Sequence, residues 1–427
     1  MQRGRRKRMA EIYDTAEPKI IAFYLPQFHT IPENDRWWGK GFTEWTNVRK
    51  AVPLFQGHNE PRRPLHGKYY NLMDNDVKRW QADLAKKYGV YGFCYYHYWF
   101  KGGKKLLEKP AEQMLADPTI DLPFCFSWAN ENWSRNWDGG NREIMIRQDY
   151  GGEREWEAHF QYLLPFFRDE RYITVQGKPL FIIYKPDLMP DVYAMTRYFR
   201  KRAKEEGFPD LCLAYQFPTY YNDMYYRDDV FDYMIEFEPV YSRYMTSPPE
   251  RKTHGNSEKV YALRKVFGED VIARYRKMHG EGTVSTLPPA SKALAMYFYD
   301  ETWEKILSQP WTPQLIPGAF TDWDNTPRNK HGITYTGTSP EAFERYMKAM
   351  VRRLRKEKRR LFFLNAWNEW GEGAYLEPDE TNGYGMLVAI SRALSEGKGG
   401  DTGIRSSKKE EKERYSNQEK DSGGERP

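Results

Sequence analysis

Only three cysteines occur in 427 residues, Cys94, Cys125 and Cys212, each inside an apolar run and far from the others. An odd, scattered set excludes a disulfide framework and a thiolate metal site, and reads as reduced core thiols. Long hydrophobic runs are also absent. No stretch approaches the ~18 apolar residues of a membrane span, so no transmembrane segment is expected. The first residues, MQRGRRKRMAEIYDTAEP, hold a basic cluster with no apolar stretch behind it, unlike a secretory leader. A cytoplasmic location is the resulting expectation.

Excess charge is missing from the body of the chain. Of the net charge of +6, Arg3, Arg5, Arg6, Lys7 and Arg8 account for most, and the tail from Gly397 to Pro427 carries eight Lys/Arg against seven Asp/Glu. The stretch 11–396 is therefore neutral, which argues against nucleic acid as a partner. The tail has one aromatic residue and no apolar periodicity, so it is expected to be disordered. Residues 1–18 read as a basic, flexible segment and residues 19–396 as one folded domain. The sequence leaves the oligomeric state open.

Aromatic rings, by contrast, are plentiful, with 14 Trp and 32 Tyr. Many lie in or just beyond short apolar runs, each followed by a polar or Trp-containing exit. The runs are KIIAFYLPQFH, YGFCYYHYW, LPFCFSWANENW, KPLFIIYKP, LCLAYQFP, DYMIEFEPV, IPGAFTDWDN and LFFLNAWNEW. Near-continuous apolar strands are buried on both faces, the habit of parallel sheets. Eight of them separated by amphipathic stretches predict an α/β fold, a (β/α)8 TIM barrel. Helices are expected over Asp74–Tyr88, Glu153–Phe167, Asp191–Glu206, Ser291–Leu307 and Pro340–Arg359. Two connections, Ile31 to Asn71 after the first strand and Tyr241 to Pro289 after the sixth, are too long for plain barrel loops and are expected to shape a cleft.

In such a barrel the chemistry sits where strands exit at the C-terminal face. The exits carry Gln27, His29, His97, Trp99, Trp128, Asn130, Glu131, Glu238, Asp322, Trp367, Asn368, Glu369, Trp370 and Glu372, with Trp38, Trp45 and Trp133 just beyond. Flat rings beside hydrogen-bonding groups suit a sugar, whose C–H faces stack and whose hydroxyls need partners. A glycan is thus the expected substrate.

The stretch NAWNEWGEGAYLEP is the most specific. In an extended strand Glu369 and Glu372 would point to opposite faces, so they converge only if the chain turns, which Gly371 and Gly373 permit. Two carboxyls held close cannot both ionise easily, leaving one as acid and one as base, the division that breaking a glycosidic bond requires. The plainer reading is two surface carboxylates; their place among glycines and tryptophans at a barrel exit favours catalysis.

These strings, with IAFYLPQFHTIPENDRWWGKGFTEWTNVRKAVPLFQGHNEPRRP and LPFCFSWANENWSRNWDG, resemble the glycoside hydrolase family 99-like proteins, most closely their branch of WbsX-type glycosyltransferases of bacterial polysaccharide gene clusters, over Lys19 to Leu394. The resemblance implies a barrel acting on α-linked, mannose-type glycans with retention and without a cofactor. It implies Glu369 as base on the sugar 2-hydroxyl, forming a 1,2-anhydro sugar, and Glu372 as acid then base. The hydrolases carry His where this chain has Gly371.

Other groups admit two readings. Glu131 is an alternative acid/base, although substrate binding is preferred. His29 and His97 fit structural roles as well as ligand roles. Glu236 and Glu238 share one strand face, with one expected to reach the cleft. Asp322-Trp323-Asp324 and Asp74-Asn75-Asp76 match the short D-x-D pattern of metal-using nucleotide-sugar transferases, but without any supporting metal spacing no metal site is assigned; the second also fits a helix cap. Three functions stay open: a retaining glycan-cleaving or transglycosylating enzyme, a nucleotide-sugar-dependent glycosyltransferase, and a glycan-binding barrel without catalysis.

Overall fold

The computed structural model describes residues 17–134, 143–217, 230–246 and 294–396, with the side chains of 244–246 excepted. The N-terminal basic segment up to residue 16, the tail from 397, Trp137 and nearly all of the long connection after the sixth strand lie outside the described residues.

Each apolar run forms a strand at the expected place. These are β1 (Lys19–Tyr24), β2 (Val90–Phe100), β3 (Phe124–Trp128), β4 (Lys178–Ile183), β5 (Cys212–Phe217), β6 (Tyr233–Glu236), β7 (Leu315–Ile316), β8 (Gly318–Phe320) and β9 (Leu361–Asn365). Neighbours pair in parallel, with registers such as Ala22↔Phe93 between β1 and β2 and Ile21↔Phe363 between β1 and β9. β7 and β8 are two halves of one stave. Pro317 divides them, because a residue without an N–H cannot donate to a ladder; its carbonyl still accepts from Phe363 N at 3.0 Å. β7 pairs with β6 (Ile235↔Ile316) and β8 with β9 (Ala319↔Leu364), so the split stave bridges the two edges and gives the barrel its (β/α)8 form.

The strands are buried almost throughout, as the unbroken apolar runs require. Cys94, Cys125 and Cys212 are free thiols within this core. Packed around it are α3 (Asn75–Tyr88), α4 (Lys109–Ala116), α5 (Glu153–Arg168), α6 (Val192–Glu205), α8 (Tyr299–Ser308), α9 (Pro340–Lys356) and α10 (Gly385–Ser395). Among the described residues no helix is long and apolar enough to cross a membrane.

Two differences from expectation bear on the site. The connection after β1 contains two short helices, α1 (Pro32–Trp38) and α2 (Glu44–Lys50), and α7 (Val240–Thr246) follows β6. The helix expected from Ser291 instead starts at Tyr299: Ala295–Phe298 is a strand paired in parallel with Ile333–Thr336, and Tyr297 stacks on Tyr335 with centroids 5.5 Å apart. A four-residue apolar run carries no period that separates strand from helix, and the partner strand decided it.

Candidate active site

The turn between Glu369 and Glu372 is a small hairpin at the C-terminal end of β9. Asn368–Glu369 pairs antiparallel with Ala374–Tyr375, and Trp370–Glu372 forms one turn of 3-10 helix between them. Gly373 closes the turn at φ 64°, the left-handed region that favours glycine. Gly371 has an ordinary φ and is needed for a different reason, the close approach of α2.

Both carboxylates bond one arginine in the loop after β8. Arg328 donates from Nη2 to Glu369 Oε2 at 3.1 Å and from Nη1 to Glu372 Oε1 at 2.5 Å. Its Nε reaches a third carboxylate, Glu44 Oε1 on α2, at 2.8 Å. The loop itself is docked on the hairpin, since Asp324 N donates to Glu372 O at 2.6 Å. Glu44 is completely buried, Glu369 nearly so, and the Glu372 side chain stays 22% exposed.

Burial dominates the electrostatics. It pushes the Glu369 carboxyl up to about 8, with Glu372 and Glu44 adding repulsion and Arg328 opposing. Glu372 is also raised, first by burial and then by Glu44, while Arg328 and Arg243 pull it down. Burial works against the Arg328 charge, but Glu44, Glu372 and Glu369 hold it far above the usual range. Three carboxylates share one guanidinium, an excess of negative charge that favours keeping a proton on the pair.

Several expected residues frame this centre rather than line it. Asn368 ties the exits of β1 and β9 together, accepting from Leu25 N at 2.7 Å and donating to Leu25 O at 3.0 Å. Asn130 pins the exit of β4 through Lys185 N and Lys185 O, both at 2.7 Å. Gln27 is buried, and its carbonyl accepts from Glu44 N at 3.0 Å, which helps to seat α2. Trp367 and Trp370 donate to the buried Glu377 at 3.0 and 2.7 Å, Trp45 to Tyr70 O at 2.8 Å, and Trp128 to Trp99 O at 3.1 Å. With Trp99 and Trp133 these indoles are buried, whereas Trp38 is half-buried.

His29 and His97 are buried, each with a neighbouring protein group at one ring nitrogen. His29 Nδ1 meets Pro26 O at 3.0 Å, and burial lowers the ring to about 4. His97 lies 2.9 Å from His159, each through Nε2, and burial lowers His97 to about 3. Glu238 caps α7, accepting from Ser242 N and Oγ at 3.1 and 2.8 Å. Glu131, partly exposed, is in a short ion pair with Lys185.

The D-x-D aspartates are engaged by protein groups. Asp322 accepts from Arg62 Nη2 at 2.9 Å, Thr338 Oγ1 at 2.7 Å and Trp323 N at 2.8 Å; Asp324 meets His58 Nε2 at 2.5 Å and accepts from Thr326 Oγ1 at 2.6 Å. Among the described residues His58, Glu60 and Asp324 have ligand atoms within 4.8 Å of one another. Arg62 already serves that group as its cation, 3.3 Å from Glu60 and 3.8 Å from Asp324. Asp74 is the N-cap of α3, accepting from Asp76 N at 2.8 Å.

Arg328, Glu44 and the tyrosines of β2 escaped the sequence reading. Burial, and after it the Glu369 charge, raises the hydroxyls of Tyr96 and Tyr98. Their alternation along YYHYW was the available signal; Glu44 lay in the string FTEWTNVRK and the excursion expected to shape a cleft without being singled out, and Arg328 had no signal.

Comparison with known proteins agrees with this architecture. The chain is 38% identical over 386 residues to a protein described as uncharacterized protein WxcX from Xanthomonas campestris pv. campestris, covering 90% of this chain and 50% of the relative. The counterpart in strain B100 is 37% identical over 392 residues, covering 91% of this chain and 51% of the relative. The chain thus spans about half the length of these relatives. Among solved structures it is similar to a glycoside hydrolase-like protein, with a TM-score of 0.50 and 14% identity over 88% of this chain and 94% of that one, a likeness of fold. A GH99 endo-alpha-mannosidase from Bacteroides thetaiotaomicron superposes with a TM-score of 0.45 at 12% identity, over 88% of this chain and 96% of that one. The family model for the glycosyltransferase WbsX matches residues 20–390, and the chain belongs to that family.

Proposed function

We propose that this chain is a carbohydrate-active enzyme of polysaccharide metabolism that cleaves or transfers at an α-glycosidic linkage with retention, using Glu369 and Glu372. The observation that carries the reading is the bridging of both carboxylates by Arg328 at the C-terminal mouth of the barrel. A pair that shares one proton has the acid and the base that the reaction needs.

The steps follow from that proton. In the first, the sugar 2-hydroxyl gives its proton to Glu369 while O2 attacks C1, and Glu372 protonates the departing glycosidic oxygen, leaving a 1,2-anhydro sugar. In the second, Glu372 as carboxylate takes a proton from water or an acceptor hydroxyl, whose oxygen attacks C1, and O2 recovers its proton from Glu369. Two inversions give net retention. Burial raises both carboxyls, and the first step needs the proton on Glu372 with Glu369 as carboxylate, a distribution open to two groups that bond the same guanidinium. The mannose-like substrate rests on the sequence resemblance alone.

A nucleotide-sugar-dependent glycosyltransferase is the second reading, favoured by the family match. Opposing it, the charge balance around Glu44, Glu369, Glu372 and Arg328 repels a diphosphate, and Asp322 and Asp324 are committed to Arg62 and His58. The deciding experiment incubates the protein with mannose- and rhamnose-containing bacterial polysaccharides, with and without sugar nucleotides. Release of reducing ends in EDTA without nucleotide supports the first reading. Turnover only with a sugar nucleotide replaces it with the second.

A further inference from the structure

The pair is embedded in a larger charge arrangement whose outer members have no place in the proton steps above. Arg328 spans three segments: the loop after β8 that carries it, the hairpin after β9 that carries Glu369 and Glu372, and α2, which delivers Glu44 from 284 residues away in sequence. All three guanidinium nitrogens are engaged by carboxylates. A planar fork fixes both the distance and the plane of the groups it binds, which a lysine ammonium does not. Glu44 in turn holds the fork from its far side and is itself fixed in α2, next to the N-cap Thr43 whose N–H donates to Thr46 Oγ1 at 3.3 Å.

Resting on the two-carboxylate reading of the site, we infer that Arg328 is a positioning residue that sets the separation of Glu369 and Glu372, and that Glu44 is the countercharge that keeps Arg328 in place and one proton on the pair. The excursion after β1 thereby serves the site, since α2 brings to the mouth a negative charge that the barrel strands do not supply. Among the described residues Arg328 opposes protonation of both carboxyls and Arg243 that of Glu372, Glu44 favours it on both, and burial holds the Tyr96 and Tyr98 hydroxyls of β2 protonated.

The test reads the Glu369 proton directly, by carbon-13 NMR of labelled glutamate carboxyls, with Glu369→Gln as the assignment control. Removing an opposite charge at contact distance shifts a carboxyl by about 1–3 units. Arg328→Gln is expected to raise the Glu369 titration by that order, and Glu44→Gln to lower it. Arg328→Lys keeps the charge and loses the fork, so its titration stays near wild type while its crystal structure shows the two carboxylates moved apart. Glu44→Gln preserves shape and remains informative if Arg328→Gln does not fold. A Glu369 titration unmoved or raised by Glu44→Gln, or carboxylates unmoved in Arg328→Lys, overturns the inference. Neither readout needs a substrate, so failure to turn over any glycan counts against the proposed function and not against this assignment.

Discussion

The carboxylate of Glu44 occupies the space beside residue 371: a Cβ there would stand 1.8 Å from Glu44 Oε1 and 2.9 Å from Arg328 Nε. Any side chain at 371 must displace one of them. Gly371→Ala is therefore expected to lose about 1–3 kcal/mol, the usual cost of overpacking a filled site. Urea unfolding measures it, and a variant as stable as wild type would show that α2 yields without strain.

Glu369→Gln and Glu372→Gln keep shape and remove proton transfer. Each is expected to cut turnover by about 10²–10⁴-fold while circular dichroism and glycan binding persist. Glu131→Gln should retain most activity, because the Glu131 carboxylate is already paired with Lys185. The reverse outcome, with Glu131→Gln inactive and both other variants active, would move the acid/base role to Glu131.

Stability should fall as pH rises from 6.5 to 8. Burial raises Glu60, Glu238 and Glu377 to about 7 and Glu369 to about 8, from an ordinary value of 4.5. In that window the folded protein binds more protons than the unfolded chain, so their stabilising effect, complete below 4.5, is lost as pH passes 7 to 8. His29 and His97, lowered to about 4 and about 3 from 6.5, act in the opposite direction but only below 6.5. Thermal melts at pH 6.5 and 8 decide it; a higher melting temperature at pH 8 would mean these carboxyls ionise freely in the fold.

Glu377 accepts four hydrogen bonds, from Tyr70 at 2.8 Å, Gln81 at 2.7 Å, Trp367 at 3.0 Å and Trp370 at 2.7 Å. An amide at this position turns an NH₂ toward donors, so Glu377→Gln is expected to cost about 1–3 kcal/mol. Denaturation and indole fluorescence report it together. No change in either would mean that the four donors find other partners.

Asp324→Ala leaves His58 and Arg62 facing a gap. Breaking a buried pair of this kind costs about 3–5 kcal/mol, so the variant is expected to melt lower, and calorimetry with a nucleotide diphosphate sugar and Mg2+ is expected to show no binding to wild type. Micromolar binding that disappears in Asp322→Ala/Asp324→Ala would restore the D-x-D reading.

The sequence alone determined the barrel, because strands buried on both faces must be apolar throughout, and runs such as KIIAFY and LFFLN carry that requirement visibly. It also determined the Glu369/Glu372 pair as the candidate centre, since both members lie within one turn. Tertiary structure decided what surrounds the pair. Glu44 and Arg328 sit in connections after different strands, and only barrel closure brings them together, so no local charge pattern singles out either one. The same holds for the tryptophans: the sequence placed them at the strand exits, but packing decided that Trp367 and Trp370 turn their N–H groups to Glu377 while Trp38 stacks on Phe42 and stays half-buried. Gly371 reads locally as freedom to turn. In the folded chain its missing Cβ is room for the carboxylate of a residue more than 300 positions away.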